Sequence, residues 1–415
     1  MPFNVVKGMR DFLPEQAKKK QFIEDTCRRV FEKYGFEPLQ SPVVEDFALL
    51  AAKGSGGEAI KDEIYYFKDK GERELGLRYD LTVPLARIVA SNPVLTKPFR
   101  RYCISTVYRY DRPQAKRYRE FTQADIDIVG AKSGLADFEC VQIAAEILAA
   151  LGIEFRIRVN NRALLEELAG KCGLEAGQVK EAFRIIDKLD KAGESEVRRE
   201  FREKGIGTAL LDKIRANSFG EVKDLLEGSQ AADDVERLLS LCKGNGITQA
   251  EFDLSLARGL EYYTGNVFEV AISEGPSVGG GGRYDKLIEL YGGQPTPAVG
   301  ISLGIDRLLD TLEGTLVVGP NSDLFIAPLS EQSAPAAANL AARLRNAGVA
   351  VEVDVMQRNM KKNLEYVSRK GIGFFIAVGE DEVKSGKIKA KEMGSGEERE
   401  FAIGDAKGMA EFLGK

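Results

Sequence analysis

Val107-Tyr-Arg-Tyr-Asp-Arg-Pro-Gln-Ala-Lys-Arg-Tyr-Arg-Glu-Phe-Thr-Gln-Ala-Asp-Ile-Asp127 closes on a run in which Gln123, Asp125 and Asp127 alternate with Ala124 and Ile126. That period of two predicts a strand with one face buried and the other in polar surroundings. Residues 101–110 also read as a strand, and the charged stretch 111–119 lies between the two runs, which predicts an antiparallel hairpin. From Lys97 to Arg119 there are eight basic residues against one acid, Asp111, so this region calls for an anion. By pattern alone the polar face of the second strand reads equally as a solvated surface or as a binding groove.

On either side of the hairpin, helix and strand patterns mix. Phe22, Ile23, Cys27, Val30 and Phe31 recur at helical spacing and predict a helix over about 14–34, capped by Gly35. Strands are expected at 64–68, 75–79 and 154–159 and a helix at 136–151, a mixed α+β pattern. Residues 163–243 change texture to short amphipathic segments rich in Glu, Lys and Leu, such as 178–191 and 220–226, and predict an all-α insertion. Strand patterns return at 252–257 and 267–272, followed by the glycine run 279–282 and a helix at 284–291. Residues 313–323, with Gly314, Gly319 and Pro320, read as a linker. Beyond it, strands at 324–328, 349–355 and 373–378 alternate with helices at 332–347 and 360–370, which predicts a separate α/β module.

At 415 residues, 44% hydrophobic and 30% charged, the chain has room for two or three domains with buried cores, and no apolar run approaches the ~18 residues of a membrane-spanning helix. Met1-Pro2-Phe3-Asn4 has no basic stretch leading into an apolar one, so a cytoplasmic protein is expected. Five cysteines without a C-x-x-C pair argue against a disulfide framework and a cysteine zinc site. The sequence contains no histidine, which excludes histidine bases, Ser-His-Asp triads and H-E-x-x-H metal sites. Catalysis must rest on carboxylates, Lys, Tyr, Arg, backbone amides and groups the substrates or a bound metal bring. For the same reason, pH dependence near pH 6–7 is expected to follow the ligand rather than the protein. There is no G-x-x-x-x-G-K-[ST] motif, and the glycine run lacks the strand-to-helix context of a dinucleotide site. Arg109, Arg117, Arg258 and Arg307 remain as phosphate candidates, because a guanidinium donates bidentately and stays charged.

The basic segment around residues 107–127 resembles motif 2 of class II aminoacyl-tRNA synthetases, and Ala298-Val-Gly-Ile-Ser-Leu-Gly-Ile-Asp-Arg307 resembles motif 3. Gly35-Phe-Glu-Pro-Leu-Gln-Ser-Pro42 is similar to the shorter motif 1. Within the class, Arg258-Gly-Leu-Glu-Tyr-Tyr-Thr-Gly265, Lys7-Gly-Met-Arg-Asp-Phe12, Leu77-Arg-Tyr-Asp-Leu-Thr-Val-Pro84 and Gly281-Gly-Arg-Tyr-Asp285 resemble the histidyl-tRNA synthetases. The likeness runs along the whole chain, and the block from Arg258 to Gly265 is its most specific part. Asp80 and Asp127 stand where many members carry Glu, Glu261 where Asp is usual, and Thr122 where many have His.

The resemblance implies an antiparallel class II catalytic sheet of six or so strands, flanked by helices, in two parts (1–162 and 246–318), with the helical insertion at 163–245 and an anticodon-binding module at 322–415. It implies ATP-dependent activation of L-histidine and transfer to the 3′ end of tRNA(His), with Mg²⁺ bridging the distal phosphates. Arg109 falls at the α-phosphate and the bound histidine, Arg117 at the distal phosphates and Arg307 at the γ-phosphate. Arg258 falls between the α-phosphate and the histidine carboxylate. Asp80, Thr82 and Gln123 fall at the substrate ammonium group, and Asp127 and Tyr263 at the imidazole nitrogens, with Tyr262 beside them. An imidazole has two ring nitrogens, so a carboxylate on one side and a hydroxyl on the other suit it in either tautomer. Motif 1 implies a homodimer; neither membrane nor DNA is an expected partner. A regulatory subunit of ATP phosphoribosyltransferase and a catalytically silent tRNA sensor share the likeness. The first typically lacks the C-terminal module and tyrosine block, and the second is expected to have lost Arg109 or Arg258.

Overall fold

A computed structural model of the chain describes residues 3–52, 63–110, 118–257, 262–273 and 275–415, and the backbone alone at residues 190 and 191. Arg117 and Arg258, together with most of the charged loop, lie outside the described residues. The chain divides into two compact units, Met1–Leu316 and Val317–Lys415.

Among the described residues, the strands of the first unit are β1 (Glu37–Pro38), β2 (Val44–Asp46), β3 (Tyr66–Lys68), β4 (Glu74–Leu77), β5 (Phe99–Tyr108), β6 (Glu120–Val129), β7 (Phe155–Asn161), β8 (Ala250–Phe252), β9 (Asn266–Ile272), β10 (Gly279–Arg283) and β11 (Ala298–Gly304). Eight of them form one sheet in the order β1-β5-β6-β11-β10-β9-β7-β8, two more than the six or so expected. Its outermost pairs, β1 with β5 and β7 with β8, are parallel; the rest are antiparallel. Alternation sorts the side chains. Ala124, Ile126 and Ile128 of β6, Val299, Ile301 and Leu303 of β11, and Phe268 and Val270 of β9 turn to one face. There they pack against helices Pro14–Lys33 and Gly134–Ala150, each large apolar side chain contributing about 1.5–3 kcal/mol.

The glycine run 279–282, which carried no strand expectation, is an interior strand of this sheet. A Cβ on Gly281 would lie 2.1 Å from the Gly300 carbonyl oxygen, and one on Gly279 would lie 2.6 Å from Leu303 Cδ2. Here close backbone approach overrides glycine's poor strand propensity. Conversely, the strand expected over 252–257 ends at Phe252. Asp253 Oδ1 accepts the Ser255 amide and hydroxyl at 2.9 and 2.6 Å, a local turn that competes with the ladder. Helix Thr82–Ser91 had no sequence expectation; its Pro84 stands in the first turn, where a proline removes no intrahelical bond.

At Asn161 the chain leaves β7 for helices, and the Asn161 carboxamide oxygen caps the next turn by accepting from Ala163 N at 2.9 Å. From Arg162 to Gly244 the elements are helices, with a core around Leu164, Leu168, Phe183, Phe201, Leu211 and Val235.

The second unit holds β12 (Leu324–Pro328), β13 (Val351–Val353), β14 (Phe374–Val378), β15 (Lys387–Glu392) and β16 (Glu398–Ala402) in the order β13-β12-β14-β15-β16. β12 pairs in parallel with both neighbours, and the last three strands are antiparallel. Helix Ala334–Asn346 covers one face through Leu340 and Leu344, and helix Met360–Lys370 covers the other through Val367. No helix among the described residues is long and apolar enough to cross a membrane.

Candidate active site

The site lies on the sheet face opposite the core. Gln123, Asp125 and Asp127 stand in register with Ser105, Cys103 and Arg101 of β5 on one side and with Gly304, Ser302 and Gly300 of β11 on the other. Gly282 and Gly280 of β10 continue the rows beside Gly300 and Ser302. The result is a floor of two carboxylates and one carboxamide, with glycines beside Gln123 and Asp127 on the β11 side. Gly300 is needed for this: a Cβ there would sit 2.2 Å from Asp127 Oδ1.

Asp127 and Arg101 are 2% and 1% exposed. Asp127 Oδ2 lies 2.5 Å from Arg101 Nη2, and Oδ1 accepts a hydrogen bond from the Tyr284 hydroxyl. Arg101 Nη2 also donates to the Leu81 carbonyl at 3.0 Å, so its contact with Asp127 is chiefly an ion pair. Burial raises the Asp127 pKa, opposed by Arg101 and by the Tyr284 hydrogen bond. Asp125, 3% exposed, is pushed up to about 7, first by burial. Arg101 and a hydrogen bond from Ser302 oppose the rise, while Asp127 and Asp80 add to it. The Gln123 carboxamide donates to the Ser302 hydroxyl at 2.6 Å.

Asp80 lies on the turn into helix Thr82–Ser91, where its Oδ1 accepts from Val83 N at 3.0 Å, and Thr82 opens the helix. The Tyr262 and Tyr263 hydroxyls are hydrogen-bonded at 3.1 Å, with their rings 4.4 Å apart. Burial, then the charges of Asp80 and Asp125, raise the Tyr262 pKa, so this tyrosine faces both carboxylates. Arg109 follows β5, its Nε donating to the Tyr79 carbonyl at 3.1 Å and its guanidinium 5.2 Å from the Phe121 ring centroid. Arg307 rises from helix Ile305–Thr311 and donates to the Ser277 carbonyl at 2.6 Å. The structure thus gathers Asp80, Gln123, Asp127 and Tyr262 around one face, with Tyr263 bonded to Tyr262 and Arg109 within electrostatic reach of Tyr262. Arg117 and Arg258 fall outside the described residues.

Several participants had no role in the sequence reading. Arg101 and Tyr284 hold Asp127; their place depends on strand register, which residue pattern alone does not reveal. Arg78 is buried and ties Ser41 and Pro42 to Thr106 and Ser105 through its fork. Arg10, from the Lys7–Phe12 block, donates to Tyr118 Oη at 2.7 Å, Asp310 Oδ1 at 2.9 Å and Asp306 Oδ1 at 2.9 Å. Asp306 Oδ2 in turn accepts from Thr122 N at 2.7 Å, and Arg119 N donates to the Gly8 carbonyl at 2.8 Å. The N-terminal segment therefore pins the foot of β6 to helix Ile305–Thr311.

A family model for histidyl-tRNA synthetase matches residues 8–308. The chain belongs to the histidyl-tRNA synthetase family. A second model, for an anticodon-binding domain, matches residues 323–411 within the second unit. The chain is similar to histidine–tRNA ligase 2 of Shouchella clausii (strain KSM-K16), at 37% identity over 95% of this chain and 97% of that protein. It is also similar to the crystal structure of histidyl-tRNA synthetase from Nostoc sp. PCC 7120, with a TM-score of 0.85 and 31% identity, covering 100% of this chain and 99% of that one. An ATP phosphoribosyltransferase regulatory subunit/histidyl-tRNA synthetase from Bacillus halodurans C shares the fold, with a TM-score of 0.78 at 24% identity over 91% of this chain and 99% of that one. Within the family, the mixed antiparallel sheet and C-terminal α/β unit of this chain are the expected architecture.

Proposed function

We propose that the chain is a histidine–tRNA ligase, which activates L-histidine with ATP and transfers it to the 3′ end of tRNA(His). The observation that carries this reading is the polar face on which Asp80, Gln123, Asp127 and Tyr262 converge, in a chain of this family. The histidine carboxylate attacks the α-phosphorus, a phosphorus–oxygen bond forms, and the bond to the leaving pyrophosphate breaks. Arg109 and Arg258 stabilise the charge on the α-phosphate, and Arg117 and Arg307 hold the distal phosphates. ATP enters as its magnesium complex, the ion carried mainly by the phosphates as part of the substrate.

Asp80, Thr82 and Gln123 receive the ammonium group, while Asp127, Tyr262 and Tyr263 line the imidazole end. Arg101 and Tyr284 fix Asp127 so that its carboxylate meets the ring without moving. The second unit contacts the anticodon, a role supported by the anticodon-binding match. Two copies pair through the motif 1 region and work in the cytoplasm. Phe3, Val5, Val6, Leu13, Val43 and Val44, all exposed and apolar, support a covered N-terminal surface. Histidine-dependent exchange of pyrophosphate into ATP tests the reading, and purified enzyme that exchanges equally with and without histidine overturns it. Sedimentation tests the dimer.

A further inference from the structure

Asp125 is the carboxylate on this face to which neither the sequence nor the proposed function gives a task. It sits between Gln123 and Asp127 on β6, its side chain turned to the site face with theirs. Among the described residues its Oδ1 is buried without a hydrogen-bond partner, and so is Gln123 Oε1 two residues away on the same face. Asp127, by contrast, has Tyr284 on one oxygen and Arg101 against the other. Leaving a buried acceptor unmet is unfavourable, and a buried carboxylate oxygen more so, so both atoms await a donor.

The charges on the face indicate what that donor is. Three carboxylates, Asp80, Asp125 and Asp127, act on one another here. Arg101 is the buried cation paired with Asp127, and Arg109 is held toward the Tyr79 carbonyl. A group that is cationic at neutral pH and carries several N–H donors balances this excess; a neutral ring does not.

On the proposed reading of the site as a histidine pocket, we infer that Asp125 is a further specificity-determining residue, its Oδ1 receiving the α-ammonium group of the amino acid together with Gln123 Oε1 and Asp80. The Ser302 hydroxyl, bonded to both Gln123 and Asp125, holds the two acceptors in place. A departure from the commoner Glu at positions 80 and 127 fits this arrangement. Where those two side chains are each a methylene shorter, a third carboxylate between them closes the distance to the ligand. The competing arrangement is a water bridging Asp125 to the Arg101 Nε and Nη1 atoms, which also lack hydrogen-bond partners among the described residues.

Calorimetry with three ligands separates these. Histidine and histidinol keep the ammonium group, while β-imidazolelactate replaces it with a hydroxyl and keeps the ring. In D125N at pH 8, histidine and histidinol are expected to bind at least about tenfold more weakly, whereas imidazolelactate changes less than about twofold and the KM for ATP is unaltered. Equal weakening of all three ligands, or of none, overturns the assignment. Should D125N not fold, the wild-type enzyme answers through protons. At pH 6, after subtraction of the protons each ligand's own ring gives up, fixed by its free titration, histidinol binding is expected to release more protons than imidazolelactate binding, because only an ammonium drives Asp125 to ionise; equal corrected release overturns the assignment. The outcome is separable from that of the proposed function. Wild type without histidine-dependent pyrophosphate exchange refutes the function, whereas wild-type exchange with an indistinguishable D125N refutes only the role of Asp125.

Discussion

The Arg101 guanidinium lies 2.5 Å from the Asp127 carboxylate, with both side chains almost wholly withdrawn from water. Removing one partner leaves the other as an uncompensated buried charge, the most damaging way to break such a pair. Arg101→Met is therefore expected to lower unfolding free energy by about 3–5 kcal/mol. Urea denaturation checks this, and a loss below about 1 kcal/mol, as for a surface pair, refutes the importance of the contact.

Asp125 gives the histidine-free chain a group that titrates near neutrality. Its folded pKa of about 7 stands above the value of 3.8 usual for an aspartate. The native state therefore holds the proton across that window. The stability gained is fully present below the unfolded pKa and is lost as pH rises through about 7. The groups acting on it are Arg101 and Cys103 on β5, the buried Arg78, Asp127 on β6, Ser302 on β11, Asp80 before the helix, and Tyr262. Unliganded D125N is expected to match wild type at pH 4 and to exceed it at pH 8. At about 1.4 kcal/mol per unit, three units set an upper bound of roughly 4 kcal/mol. Denaturation curves at both pH values check it, and parallel behaviour of the two proteins assigns the titration elsewhere. The expectation that pH dependence follows the ligand alone thus meets a competing group, raised by burial that composition cannot reveal.

Gly300→Ala places a methyl group where Asp127 Oδ1 now lies, 2.2 Å away, and 2.6 Å from the Ile126 carbonyl. Overpacking of this kind costs about 1–3 kcal/mol. Because the displaced group is the carboxylate proposed for the imidazole, the KM for histidine is expected to rise at least tenfold with the KM for ATP little changed. Equal changes in both constants would mean a general loss of structure.

Arg258→Ala is expected to slow adenylate formation by roughly a hundredfold or more, the effect of about 2–4 kcal/mol when one charged donor at a reacting phosphate is lost. Single-turnover activation with labelled ATP provides the measurement, and near-normal rates would remove Arg258 from the mechanism.

Ending the chain before Val317 is expected to spare histidine-dependent pyrophosphate exchange and strongly reduce tRNA charging, since the second unit has its own core. The basic residues of that unit are partly engaged: Arg358 pairs with Asp354 at 2.9 Å and stacks on Tyr366, while Lys370 lies 3.9 Å from Glu352. Unchanged charging efficiency after truncation would reduce that basic set to an ordinary solvated face.

The β5–β6 hairpin was legible because alternation is local: Ala124 and Ile126 face the core, and Gln123, Asp125 and Asp127 the site. Asp80, Gln123, Asp127, Tyr262 and Arg109 were legible through motif likeness. Arg101 was not, because its partner lies across a register no residue pattern states. Nor was β10, because glycine's usual strand penalty hides a strand whose neighbours leave no room for a Cβ. Tyr284 lay inside a quoted motif without a task; only the folded sheet brings its hydroxyl to Asp127.

The position of β11 between β6 and β10 bears on how the protein is made. Val129 pairs with Ala298, so β6 must wait for about 170 further residues before its inner neighbour exists. At 5–20 residues per second that is roughly ten to thirty seconds of translation. Throughout that interval one edge of β6 offers unsatisfied backbone groups to any passing strand. Arg10 waits longer still, for counter-charges 296 and 300 positions downstream. A ribosome that stalls before Asp306 therefore holds a chain with an open sheet and a loose leading segment, a natural substrate for chaperones and proteases.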